Sequence, residues 1–213
     1  MLSKLIIRMS ITNTMALSEE ILNFWFRGFT SETDYIKETG SFWWRTPPEV
    51  AEQMRNLVGN ELENALEGRH DDWTETPRGT LALILLLDQW TRSIFKGTPA
   101  AFAGDLKAQA ITLDAINKGF DKQLWPIQRS FLYMPLEHSE LLEHHDLMLR
   151  LMNGLVEEAR GDVKPIMEGF TRFEIMHRDL IVRYGRYPHR NPILGRQSTP
   201  DEEEYLKINP NPF

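Results

Sequence analysis

The chain has 213 residues, 41% hydrophobic and 26% charged, with a formal net charge of −7 and no cysteine. That length suits one domain with a sizeable core, and the composition excludes a disordered or collagen-like chain. Without sulfur there are no disulfides, thiolate metal sites, iron–sulfur clusters or thiol nucleophiles, which fits a cytoplasmic setting, and the acidic balance argues against whole-surface attraction to nucleic acid or anionic membrane.

Residues 1–14 carry Lys4 and Arg8 but no acid, and their apolar pieces are too short for a secretory core. They read as a disordered or misannotated tail ahead of one domain over 15–207, with 208–213 as a C-terminal tail. A first helix is expected over 18–26. Thr46-Pro47, Thr76-Pro77, Thr98-Pro99 and Thr199-Pro200 each precede a helical run, because Thr supplies a capping oxygen and Pro costs nothing at the first helical position. Thr46-x-x-Glu49 and Thr199-x-x-Glu202 add the capping-box spacing. From these starts the pattern predicts helices at 47–67, 77–95, 99–118, 126–134, 136–159, 165–184 and 200–207.

Residues 81–87, Leu-Ala-Leu-Ile-Leu-Leu-Leu, are apolar all round. Seven residues fall far short of the roughly 20 that span a membrane, so this segment reads as a central helix covered on every side. No alternating segment rich in β-branched residues is present, and no sheet is expected. The fold class is therefore all-α: a single domain of about seven to eight helices, packed as antiparallel neighbours.

Three clusters could carry chemistry. Asp88, Gln89 and Arg92 interrupt the apolar central helix, and a carboxylate entering a core needs a partner such as Arg92 at i+4. The pair reads first as internal glue and second as the wall of a polar cavity. Residues 134–151 hold Glu137, His138, Glu140, His144 and His145. On one continuous helix Glu137, Glu140 and His144 would share a stripe, with His144 and His145 solvated. Glu174-x-x-His177 by itself is too little for a metal site, so no metal and no cofactor are expected. The third cluster is the most distinctive: residues 172–196 contain six Arg, no Lys and two acids, leaving 18 basic against 29 acidic residues elsewhere. Arginine forks suit carboxylate or phosphate.

The blocks ILNFWF (21–26), LALILLLDQWTRSIFKGTPAAFAGD (81–105), FLYMPLEHSE (131–140) and RYGRYPHRNPILGRQSTPDEEEYL (183–206) resemble the signature blocks of bacterial domain-of-unknown-function family 924, over about residues 18–207. The resemblance implies an irregular tetratricopeptide-like superhelix of helix pairs and no settled activity. The family's central block usually reads Asp-Gln-Phe-Pro-Arg-Asn, whereas here Trp90, Thr91 and Ser93 replace the Phe, Pro and Asn, which predicts a straighter central helix. Asp88, Gln89, Arg92, His138, Glu140, His177, Arg186, His189, Arg190 and Asn191 keep the family's places.

Together these readings give a binding module for a small anionic ligand or peptide carboxylate, with Asp88, Gln89, Arg92, His138, Glu140, Arg186, His189, Arg190 and Asn191 as its ligand-binding set. The alternatives are a metal-independent, hydrolase-like enzyme with His138, His177 or His189 as general base, and an interaction scaffold in which every cluster is structural. Neither nucleic acid nor membrane is an expected partner. Oligomeric state is not legible.

Overall fold

Seven consecutive apolar side chains cannot face water, and the fold is arranged around them: every residue from Leu81 to Leu87 is fully buried. The computed structural model describes residues 17–34 and 42–210, and among them the secondary structure is helical with no strand. The expected tail over 1–14 lies outside the described residues.

Helix α1 (17–26) turns Ile21, Leu22, Trp25 and Phe26 into the core. Helices α2 (Pro48–Val58) and α3 (Glu61–Leu66) follow. The central helix is α4 (Pro77–Ile84), a π-helical turn over Leu85–Trp90, and α5 (Thr91–Ile94). After a 3₁₀ turn at Pro99–Phe102 come α6 (Asp105–Asn117), α7 (Pro126–Glu137), α8 (Leu142–Glu158) and α9 (Val163–Tyr184). A 3₁₀ turn at Pro188–Arg190 leads to α10 (Pro200–Ile208). Helix α7 packs on α4, α6, α8 and α9, and α8 packs along α9. No helix among the described residues is long and apolar enough to cross a membrane.

Two of the four Thr-Pro starts cap as expected. Thr76 Oγ1 accepts from Gly79 N at 3.1 Å, and Thr199 and Glu202 form a reciprocal capping box. Thr46 does not: its hydroxyl donates to the Phe42 carbonyl and pairs with Ser93 Oγ, so Pro47 takes the cap position and no capping box forms there. Thr98 likewise donates back to the Phe95 carbonyl, and the run expected over 99–118 begins as a separate 3₁₀ turn. The expected 47–67 helix breaks at 59–60.

The predicted break at Pro135 is also displaced. Pro135 sits inside α7, where the carbonyl ladder beside it is supported from outside by Thr112 Oγ1, which donates to Leu132 O at 2.9 Å. The chain breaks instead over 138–141, where Leu141 is extended and its N–H is taken by Ser139 Oγ. Glu137 and Glu140 therefore never share a helix stripe with His144.

Thr91 stands where the family's central block has its proline, and the helix there follows directly on a π turn. That turn lies at the place where the polar residues enter, as π turns often do at functional sites. Thr91 Oγ1 donates to the carbonyls of Leu87 and Asp88, at 2.9 and 3.0 Å. Gly104 abuts the same turn: a Cβ there would lie 2.1 Å from Leu87 O. That close approach brings the first residue of α6, Asp105, against the polar end of the central helix.

Candidate functional site

Asp88 leaves the π turn fully buried and gathers three donors. His138 Nδ1 lies 2.7 and 2.9 Å from its two oxygens, Gln89 Nε2 donates at 2.7 Å, and Arg92 Nη2 lies at 3.2 Å. Burial opposes ionisation, but the charges and hydrogen bonds of His138, Arg92 and Gln89 outweigh it and hold the carboxyl below its usual range. His138 Nδ1 is also 3.2 Å from Arg92 Nε. One nitrogen cannot donate to Asp88 and accept from Arg92 at once, and the carboxylate is the stronger acceptor, so Nδ1 carries the proton. Burial and the neighbouring Arg92 lower the His138 pKa. At neutral pH His138 thus gives Asp88 a hydrogen bond rather than a charge, and its lone pair sits on Nε2, which makes no hydrogen bond with the described residues.

Arg92 reaches onward, with Nη2 donating to Asp105 Oδ1 at 2.9 Å and Nη1 to the Ala101 carbonyl at 3.3 Å. Asp105 starts α6, where the helix dipole favours an anion, although burial raises its pKa against the pull of Arg92. Its second oxygen is 3.4 Å from Arg190 Nη1. That long contact is the hydrogen bond Arg190 makes among the described residues. Its guanidinium lies between the rings of Phe102, at 4.9 Å, and Tyr187, at 4.5 Å. The side chain is 8% exposed, and its buried Nε has no partner. Burial, followed by the charge of Arg92, lowers its pKa to about 10, which leaves it cationic at neutral pH.

Tyr187, fully buried, is the hub of the site. Its hydroxyl donates to the Glu137 carbonyl, and its ring lies 5.4, 5.8 and 6.2 Å from those of His189, His177 and His145. Below it lies a proton-sharing chain. His145 Nε2 donates to the Ser139 carbonyl at 2.9 Å, so Nδ1 must accept, and Glu174 at 2.8 Å must supply the proton. Burial drives both groups the same way, pushing Glu174 up to about 10 and His145 down to about 4. The pair is a neutral acid beside a neutral imidazole. His177 Nδ1 donates to the Phe173 carbonyl, and burial lowers its pKa to about 4. Glu137 is 3.9 Å from that committed nitrogen, and no Lys or Arg among the described residues lies within ion-pair distance of it. Burial raises its carboxyl to about 7.

The structure brings Asp88, Gln89, Arg92, His138, His177, His189 and Arg190 around this hub. Arg186 and Asn191 turn the other way, onto Glu202: Arg186 donates at 2.6 and 2.7 Å and Asn191 Nδ2 at 3.2 Å. Glu140 accepts from both Nη atoms of Arg196 and from Tyr187 N, so it braces the 187–196 loop. His145, expected in solvent, is fully buried, and His144 is half-buried with Nδ1 2.9 Å from Ser139 Oγ. No group of three or more metal-ligating side chains is arranged to hold an ion among the described residues.

Residues 21–209 match the family of bacterial proteins of unknown function designated DUF924. The chain belongs to that family. A solved structure from Agrobacterium tumefaciens, the protein of unknown function ATU0120, is similar to it at 30% identity with a TM-score of 0.76, covering 92% of this chain and 99% of that one. No curated protein matches the chain. The DUF924 block over 81–105 spans the π turn and ends on Asp105, and the block over 183–206 contains Tyr187 and the Glu202 brace. Asp105 and Tyr187 were nevertheless not recognisable as site residues from the sequence. Asp105 reads as a helix-start acid and Tyr187 as one aromatic among many. Only the close approach at Gly104 and the turn after α9 give them their roles.

Proposed function

We propose that this DUF924 protein is a helical binding module that holds a small anionic ligand or peptide carboxylate at Arg190, between the π turn of the central helix and the 187–191 turn. The observation carrying this reading is a buried guanidinium with one long hydrogen bond, an unpartnered Nε and two aromatic faces against it. A buried cation with unmet donors costs free energy unless something else meets them. Arg92 and Arg190 face Asp88 and Asp105, so the cluster is balanced in charge while Arg190 is under-bonded. The tetratricopeptide-like stacking implied by the family, the cytoplasmic location and the absence of nucleic-acid or membrane partners belong to the same proposal.

Arg190→Met keeps the stacked stem between Phe102 and Tyr187 and removes the donors. The wild type should gain melting temperature when inorganic phosphate or acetate is added, as any ligand of the folded state requires, and the variant should lose that gain. A wild type indifferent to both anions overturns the reading.

The Asp88–His138 pair favours one second reading, a metal-independent enzyme with His138 Nε2 as general base, since a buried carboxylate holding Nδ1–H is how an imidazole is aimed as a base. Imidazole nitrogen shifts should show His138 neutral and protonated on Nδ1 at pH 7. A protonated ring would sink this alternative.

A further inference from the structure

Resting on the anion-site reading, we propose that the ligand is amphoteric: a carboxylate for Arg190 joined to an ammonium group for Glu137 and His138 Nε2. Both charges follow from the hydrogen-bonding capacity left unspent around Tyr187. On the donor side the unspent group is Arg190, as described. On the acceptor side, Asp88 and Asp105 are already committed to donors. Asp88 takes His138, Gln89 and Arg92; Asp105 takes Arg92 and Arg190. Glu137 stands apart: 7% exposed, it has no Lys or Arg within ion-pair distance among the described residues, and its side-chain hydrogen bond is to another buried acid, Glu174. Its neighbour in sequence, His138, has its proton committed to Asp88, so Nε2 can only accept.

The two unmet functions are joined by one side chain. The Tyr187 ring carries the Arg190 guanidinium on its face, and its hydroxyl is bonded to the backbone carbonyl of Glu137. A plain anion would satisfy Arg190 and leave Glu137 facing another acid, Glu174, with no cation; a plain amine would do the reverse. A molecule carrying both charges meets both needs at once, and each charge-assisted bond strengthens in these surroundings.

Melting titrations of the full chain at pH 7.5 test this with matched pairs: glycine against acetate, β-alanine against propionate, γ-aminobutyrate against butyrate, with propylamine as the cationic control. At least one amino acid should reach its half-maximal melting shift at about a tenfold lower concentration than its amine-free partner, as one added charge-assisted bond implies. Glu137→Gln should abolish that preference while keeping the response to the plain carboxylate. If carboxylates and amino acids act equally, the amphoteric ligand is wrong and the anion site stands. If no compound shifts the melt, the anion-site reading itself fails. Should Glu137→Gln not fold, the wild-type pairs alone decide.

Discussion

A proton's position at one residue can be read from what its neighbours are able to accept. The Ser139 carbonyl can only accept, so His145 must spend its Nε2 proton there, and Glu174 must then be a neutral acid donating to Nδ1. The consequence for stability has a definite sign. Glu174 is raised from 4.5 to about 10 on folding, so across that window the folded chain holds a proton that the unfolded chain has released. Stability therefore falls as pH rises, by at most about 1.4 kcal/mol per pH unit for this group. His145, lowered from 6.5 to about 4, works oppositely, adding stability as pH rises through 4 to 6.5, and is silent above. Glu137, raised to about 7, is also spent by then. Between pH 7.5 and 9.5 the decline should belong chiefly to Glu174. Glu174→Gln keeps a donor for His145 and removes the titration, so urea unfolding of the variant should show a flatter profile over that range. A wild-type profile without decline would mean that Glu174 ionises inside the fold.

Among the elements, the π turn and the start of α6 define the polar end of the core. Gly104 is placed so that a side chain would collide with Leu87 O at 2.1 Å, a backbone atom that cannot step aside. Gly104→Ala should cost roughly 3 kcal/mol or more, against the gain that alanine usually gives over glycine near a helix, with the loss seen as a lower urea midpoint at unchanged slope. A neutral result would mean that α6 does not abut the turn. The same contact explains what the sequence made legible. The apolar run 81–87, the caps at Thr76 and Thr199 and the Arg-rich segment are local patterns, and from them came the all-helical fold, the buried central helix and the meeting of Asp88 with Arg92 and His138. The π turn, the passage of α7 through Pro135 and the burial of His145 depend on contacts between distant elements. No spacing encodes that Thr112 supports the carbonyl of Leu132, or that Gly104 meets Leu87.

For the whole molecule, the basic C-terminal segment is less a patch than a closure. Arg178 pairs with Asp146, Arg183 with Asp201, Arg186 with Glu202 and Arg196 with Glu140, so four of the six arginines over 172–196 are neutralised by the body and by α10 while Arg190 is delivered to the hub. Glu202 is the centre of that closure. It is 2% exposed and accepts from Arg186, Asn191 and Thr199 N. Chiefly through the Arg186 hydrogen bond, its pKa is lowered from 4.5 to about 2. A carboxyl lowered on folding contributes stability that is complete above its unfolded value and is lost as pH falls through 4.5 towards 2. Acid should therefore release α10 and the 186–191 loop. Glu202→Gln imitates that release at neutral pH by leaving Arg186 without a counter-charge. Hydrogen exchange at pH 7 should then rise over 186–208 and stay unchanged over 77–94. The response of melting temperature to anions should weaken although no residue touching Arg190 has been altered, because the loop that presents Arg190 has lost its brace. Unchanged protection over 186–208 would show that the loop is held without the Glu202 brace, by Glu140 with Arg196 and by the contacts of Tyr187 and Arg190, and that α10 is not part of what positions the site.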